Sequence, residues 1–330
     1  MLQTVLWLIL KGLILAVILV TAAAGELLME RKILGYFQYR LGPNRVGPWG
    51  TLQLVADAVK MMLKEDIIPQ DADKVVYRVA PVISMGTALA AWAVIPWGPS
   101  DGTYQMAIAD PSAGILVYLA IGGLAIYGIT LGGWASQSKY PLLGSMRATA
   151  HMISYELALG MSILGVILMA GSLRITDIVE AQRGVHYIIP QLLGFFVFFI
   201  SIMAESNRAP FDLPESEQEL VAGYHTEYSG MRFGLYFLAE LVNLITASSL
   251  ITLFYLGGWN MPAFLSFIPP TLAFILKVCF VIFVMIWIRT TLPRVRYDKW
   301  MQFAWKVLLP LAALNLVGTA VYVALWAPKV

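Results

Sequence analysis

Stretches of mostly apolar residues alternate with polar connections along the whole chain. Eight of these stretches have the length of a membrane-crossing helix, because about 20 apolar residues in helical form span the ~30 Å hydrocarbon core of a bilayer. The pattern predicts an all-α, polytopic integral membrane protein with about eight transmembrane helices in a single membrane domain, residues 1–330. The predicted spans are residues 4–26, 75–96, 112–134, 148–170, 189–207, 233–256, 270–290 and 302–326.

The polar connections form two alternating sets that differ in positive charge. One set carries fifteen Lys and Arg residues, and the other, which includes both termini, carries three. Since cytoplasmic connections are enriched in Lys and Arg, we expect the rich set inside and both termini outside. We also expect the first span to be retained, because it lacks the basic start and the cleavage site of a signal peptide. The rich connections, with Arg289 at the border of the last, are residues 29–74, 135–147, 206–232 and 291–301.

Residues 51–63 show a different periodicity, in which apolar side chains recur on one helical face while the charged ones lie elsewhere. This pattern predicts an amphipathic surface helix that lies on the membrane or packs against a partner. Its apolar positions are Leu52, Val55, Val59, Met62 and Leu63.

Composition supports the membrane class and limits the chemistry. The 330-residue chain is 59% hydrophobic and 13% charged, with a mean hydropathy of +0.74, whereas soluble domains carry about 25% charged residues. The single Cys279 cannot hold an iron–sulfur cluster, the three histidines show no metal spacing, and no glycine-rich phosphate motif is present. We therefore expect no catalytic residue, no metal and no redox cofactor of this chain's own, and no nucleic-acid partner.

Carboxylates fall within or at the edge of several predicted spans, among them Glu156, Glu205 and Glu240. A charge at mid-bilayer costs at least about 2.5–3.5 kcal/mol, so such residues usually face a partner or a water-filled cavity. By their depth all three belong to the inner half of the membrane. They predict a polar path from the inner surface toward the midplane. The alternative is that each is satisfied separately by a hydroxyl group, an arginine or a water molecule.

The connection that follows Glu205 is strongly acidic. Besides Glu205 itself, residues 204–234 contain five carboxylates against only Arg208 and Arg232. A helix beginning near Pro214 would explain one or two of them as capping or first-turn residues. The remainder suggests an electronegative funnel toward the intramembrane glutamates, or else a solvated acidic face. The five are Asp212, Glu215, Glu217, Glu219 and Glu227.

The first connection combines turns, arginines and aromatic rings. Gly-Pro pairs predict rigid turns within residues 42–48. Such a loop suits a pocket for an amphiphilic ring that carries carbonyl groups, and it equally suits docking to lipid headgroups. The residues concerned are Arg31, Tyr36, Phe37, Tyr39, Arg40 and Arg45.

Long motifs in family order give a specific resemblance from about residue 26 to residue 312. They read ERKILGYFQYRLGPNRVGPWG, LQLVADAVKMMLKED, GWASQSKYPLLGSMRATAHMISYELALG, ESNRAPFDLPESEQELVAGYHTEYSG and RTTLPRVRYDKWMQFAWKVLLP. With them the chain resembles the quinone-chamber membrane subunit of respiratory complex I, which is called NADH dehydrogenase subunit one in mitochondria.

The resemblance implies a membrane subunit of a proton-pumping NADH:quinone oxidoreductase. Such a protein forms the quinone chamber and its entrance beneath the peripheral arm, and it couples quinone reduction to proton translocation. The implied partners are the peripheral-arm subunits, small and antiporter-like membrane subunits, membrane lipid and the substrate quinone, with iron–sulfur clusters and FMN held by partner subunits. The implied location is a bacterial inner membrane rather than a mitochondrial one.

The resemblance also implies roles for individual residues. The chamber or its entrance would include Glu30, Arg31, Phe37, Arg40, Arg45, Asp57, Arg289 and Arg294. The proton path would include Tyr155, Glu156, Glu205, Arg208, Asp212, Glu215, Glu217, Glu219, Glu227 and Glu240. One departure is visible, because some relatives carry a glutamate in the third span where this chain has Gly123.

Three other functions remain open from the sequence. A related membrane protein serves membrane-bound hydrogenases and formate hydrogenlyases without a quinone. A stand-alone secondary transporter would show inverted repeats and broken spans, and the sequence shows neither. A pure membrane anchor would make no use of the intramembrane glutamates.

Overall fold

The computed structural model describes residues 2–99, 106–212, 214, 217–261, 265 and 267–326. Throughout these residues the regular structure is helical. The helices are α1 (Leu2–Phe37), α2 (Gln53–Leu63), α3 (Lys74–Ala91), α4 (Gly114–Ala135), α5 (Lys139–Ala170), α6 (Ile175–Ala181), α7 (Leu192–Glu205), α8 (Glu217–Leu220), α9 (Gly230–Phe254), α10 (Pro270–Thr291), α11 (Tyr297–Phe303) and α12 (Leu309–Trp326). A π-helical segment, Ala304–Leu308, joins α11 to α12.

Six of the helical stretches are long and apolar enough to cross a membrane, which confirms an all-α polytopic membrane protein. They are Leu6–Phe37, Gly114–Ala135, Lys139–Ala170, Gly230–Phe254, Pro270–Thr291 and Tyr297–Leu325. The other two predicted spans coincide with α3 and α7. Helix α3 has 18 residues and includes Lys74 and Arg78, and α7 has only 14 residues. A total of eight crossings therefore stays a prediction.

Two helices extend beyond their predicted spans. Helix α1 continues to Phe37 rather than ending at residue 26, because the intervening residues are good helix formers. Residues 30–37 are therefore helical rather than part of a loop. Helix α5 begins at Lys139 rather than at residue 148; Pro141 is tolerated there because the first turn needs no backbone N–H partner. Both differences have one cause: the predicted spans were limited to the apolar runs, whereas the helices continue into the more polar residues beside them.

Helix α9 lies at the centre of the bundle, since 83% of the residues in its most apolar stretch are buried inside the chain. Small residues on α4 allow its neighbours to approach closely. A Cβ added at Gly128 would lie 2.2 Å from Ser84 Oγ on α3, and one at Gly132 would lie 2.2 Å from the Tyr236 hydroxyl on α9. The helices therefore meet at the spacing that glycine permits.

The amphipathic helix predicted over residues 51–63 is observed as α2. Asp57 on its polar side contacts α1. Its apolar residues form an outward-facing surface, and each exposes about half or more of its side chain, as seen at Leu52, Val55, Val59, Met62 and Leu63. An exposed apolar face of this kind is expected to be covered by lipid or by a partner protein.

Candidate functional site

Glu30 lies at the centre of a buried ion-pair cluster. It lies on the long helix α1, and only 4% of the residue is exposed. Arg208 Nη1 donates to both of its carboxylate oxygens at 3.0 and 3.3 Å, and Arg289 in the last turn of α10 also donates to it. A cavity of about 10 Å³ adjoins the cluster and includes Ser206 in its lining. Three separate segments thus meet at one carboxylate, which needs such partners when it is removed from water.

Arg31, the next residue of α1, points to a different partner. Its guanidinium group contacts Asp57 at 2.5 Å, and Gln53 donates to the other oxygen of the same carboxylate at 3.0 Å. Partial burial acts to raise the pKa of Asp57, but the hydrogen bonds and the charge of Arg31 outweigh it, so the pKa lies below its usual value. The pair ties the amphipathic helix α2 to α1.

The acidic connection is held by arginines from other segments. Arg294 donates to the buried carboxylate of Asp212, and Arg147 near the start of α5 contacts Glu219 at 2.5 Å. The described helix α8 begins at Glu217, three residues after Pro214. These contacts give two of the predicted acids specific partners, of which Asp212 is buried and Glu219 is exposed.

The other three predicted acids of this connection are less defined. Glu227 is partly buried, and its backbone carbonyl accepts a hydrogen bond from the Tyr77 hydroxyl at 2.7 Å. Glu215 and the side chain of Glu217 lie outside the described residues.

Glu156 and Glu205 line one internal cavity of about 30 Å³. The Tyr118 hydroxyl donates to Glu205 at 3.1 Å, and Tyr155, Asn243 and Thr246 also border the cavity. A cavity of this size and polarity accommodates one or two water molecules. The structure therefore brings together two of the three intramembrane carboxylates, together with the predicted Tyr155.

Two glycines of α4 face the same pair. A Cβ added at Gly123 would lie 3.6 Å from Glu156 Oε1, and one at Gly122 would lie 3.8 Å from Glu205 Oε1. Gly123, the departure noted in the sequence, is thus adjacent to Glu156.

Glu240 is buried in α9 and accepts a hydrogen bond from the Tyr224 hydroxyl at 3.1 Å. It is not among the residues that border the Glu156–Glu205 cavity. The predicted trio is therefore arranged as a pair and a separate third carboxylate.

The first connection forms an open surface hollow of about 610 Å³. Arg40 lies in its wall and donates to Gln38 at 2.7 Å. Phe37 and Arg45 are exposed nearby and do not border it. Its lining is Lys32, Tyr36, Tyr39, Arg40, Leu41, Gly42, Pro43, Asn44 and Trp49. Basic and aromatic groups thus surround one hollow beside the end of α1.

Sequence reasoning missed two buried polar residues. Glu26 is 4% exposed, and neither of its carboxylate oxygens has a hydrogen-bond partner among the described residues. His151 is fully buried, neither of its ring nitrogens has a hydrogen-bond partner among the described residues, and its ring makes edge-to-face contacts with Tyr155 and Trp300. The spacing of Glu26 and Glu30 on one helical face would have identified the first, had α1 been extended past residue 26.

In the described part of the chain, no group of three or more His, Cys, Asp or Glu residues is arranged to hold a metal ion. The fold and the site together define a polytopic α-helical membrane protein that carries buried carboxylates, several of them paired with arginines. The family model described as NADH dehydrogenase matches residues 10–320, and the chain belongs to that family.

Relatives in bacteria match almost from end to end. The first NADH-quinone oxidoreductase H subunit of Symbiobacterium thermophilum is 59% identical over 98% of this chain and 99% of its own length. The NADH-quinone oxidoreductase H subunits of Syntrophotalea carbinolica and Geobacillus kaustophilus are each 51% identical. The alignments cover 97% and 94% of this chain, and 97% and 92% of those relatives.

Proposed function

We propose that the chain is the membrane subunit of a proton-pumping NADH:quinone oxidoreductase that forms the quinone chamber with the peripheral arm. Family membership supports the assignment to such a complex. In this role the chain sits in a bacterial inner membrane beside antiporter-like subunits. The electron carriers, FMN and iron–sulfur clusters, belong to partner subunits, since one cysteine is too few to ligate a cluster.

The observation that carries the coupling proposal is the short segment that joins two charged sites. Glu205 is the last residue of α7 and borders the Glu156 cavity. Arg208 follows three residues later and pairs with Glu30. A displacement of this segment alters both sites together, because neither side chain can move far without the other.

Quinone would approach the chain at the end of α1. The hollow there presents cationic and aromatic side chains, including Arg40 and Tyr36. Guanidinium groups donate to carbonyl oxygens, and aromatic rings pack against a quinone ring.

Reduction of quinone then acts on the acidic connection. New negative charge in the chamber changes the balance of Asp212 with Arg294 and of Glu219 with Arg147, the arginines that hold these acids. The connection shifts, Arg208 moves with it, and the proton occupancy of the Glu156–Glu205 pair changes. Like charges in one small cavity pass such a change onward by mutual repulsion.

The test uses Glu156→Gln, Glu205→Gln and Glu240→Gln in the native complex. We expect each complex to assemble, since glutamine keeps the side-chain shape, and we expect Glu205→Gln to lower the protons pumped per electron. Assembly is measured on native gels and pumping in inverted membrane vesicles supplied with NADH. The matched control is Glu180→Gln, which alters an exposed carboxylate on α6. Unchanged proton-to-electron ratios in all three variants would contradict the proposal and would instead favour a pure anchor.

A further inference from the structure

Glu26 occupies the buried stripe of α1. Ala23, nearly one turn earlier, and Glu30, one turn later, are equally inaccessible. The stripe packs against α9 and α10. Neither Glu26 oxygen finds a hydrogen-bond partner among the described residues, so its carboxyl group lacks the usual compensation for burial.

Glu30 lies one turn from Glu26 on the same face of α1, and it is held there by Arg208 after α7 and by Arg289 on α10. The four-residue separation places Glu26 about 6 Å deeper along the helix axis than Glu30. The cavity of about 10 Å³ beside Glu30 is bordered on the α9 and α10 sides by Leu244 and Met285. That volume is the lower limit for holding one water molecule.

We propose that Glu26 is a proton-binding site that works as the alternate partner of Arg208. In the arrangement observed, Glu30 pairs with both arginines and Glu26 carries a proton. When Arg208 turns one helical turn deeper, Glu26 releases its proton to water in the cavity beside Glu30 and takes up the ion pair. Arg289 keeps Glu30 paired in both arrangements, so every ionised carboxylate has a cationic partner.

The inference rests on the proposed function for its trigger. Arg208 lies four residues before Asp212 on the connection that would respond to quinone chemistry. A shift of that connection therefore reaches Arg208 directly, and proton release at Glu26 would be one of its results.

The resting proton is tested first, and this test does not depend on quinone. In the purified complex, the infrared C=O band of a protonated carboxylic acid should lose one component in Glu26→Gln and retain it in Glu180→Gln. A spectrum identical to that of the native complex would mean that Glu26 is ionised, which overturns the proposal.

The exchange of partners is tested by redox-induced infrared difference spectra of the same variants. We expect the difference band of a carboxylic acid to be lost in Glu26→Gln, retained in Glu26→Asp, and accompanied in Glu26→Gln by fewer protons pumped per electron. A proton that is present at rest but unaffected by redox change would mean a purely structural carboxyl group and would overturn the exchange. If Glu156→Gln, Glu205→Gln and Glu240→Gln all pump normally as well, the proposed function itself fails; if only Glu26→Gln does, the further inference alone fails.

Discussion

At the scale of single residues, the contribution of the Arg31–Asp57 ion pair to stability should depend on pH. Because the folded pKa of Asp57 is lowered, the pair contributes stability above the usual aspartate value of about 3.9, and that stability is lost as the pH falls through the lower folded value. We therefore expect Asp57→Asn to loosen α2 at neutral pH, whereas α2 of the native chain should loosen only in acid.

Backbone hydrogen exchange of residues 53–63 in the purified complex, corrected for the intrinsic effect of pH, measures this difference. Asp71→Asn alters an exposed carboxylate outside any helix and serves as the control. Equal protection of α2 in Asp57→Asn and the native chain at pH 7 would show that the pair does not hold the helix.

Tyrosine hydroxyls distinguish the two carboxylate sites. Tyr118 donates to Glu205 and Tyr224 to Glu240, each at 3.1 Å. A hydrogen bond to a charged group contributes about 1.5–3 kcal/mol. If coupling passes through the shared cavity, Tyr118→Phe should lower pumping more than Tyr224→Phe does, as measured by the proton-to-electron ratio. The reverse order would place Glu240 on the main path.

At the scale of helices, a crowded glycine at the α3–α4 interface can be compared with an uncrowded glycine on α5. A Cβ at Gly128 would lie 2.2 Å from Ser84 Oγ and 2.9 Å from the Ser84 backbone nitrogen, whereas one at Gly160 on α5 meets no atom within 4 Å. Gly128→Ala should destabilise the bundle by about 1–3 kcal/mol through overpacking. Gly160→Ala should have little effect. Thermal inactivation of the purified complex compares the two, and equal melting would argue against a close α3–α4 contact.

The positions of the helices were largely predictable from the sequence, but some of their ends were not. Apolar runs located the membrane helices because hydrocarbon imposes both length and composition. The end of α1 was missed because residues 27–37 are polar in part yet still favour a helix. For the same reason Glu26, the last residue of the predicted first span, was not identified as a buried carboxylate. Helix α2 was correctly predicted because its apolar periodicity extends over three turns.

At the scale of the whole molecule, the arrangement of the site depended on helix packing that no local pattern encodes. The positions of Glu156, Glu205 and Glu240 within their predicted spans put all three in the same half of the membrane. Only the packing of α4, α5 and α7 brings Glu156 and Glu205 into one cavity. The pairing of Glu30 with Arg208 and Arg289 likewise joins residues more than 170 positions apart.

The shortness of α7 has a consequence for how deep surface chemistry can reach. Its 14 residues are about 21 Å long, well below the ~30 Å of the hydrocarbon core. Non-helical backbone is tolerated at such depth only beneath a covering of protein, and Ser206, Asn207 and Arg208 are all nearly inaccessible. The predicted crossing by α7 would therefore leave its inner end below the membrane surface and shielded by protein. An event in the aqueous phase would then need to displace atoms by only about the length of one helical turn to act inside the membrane.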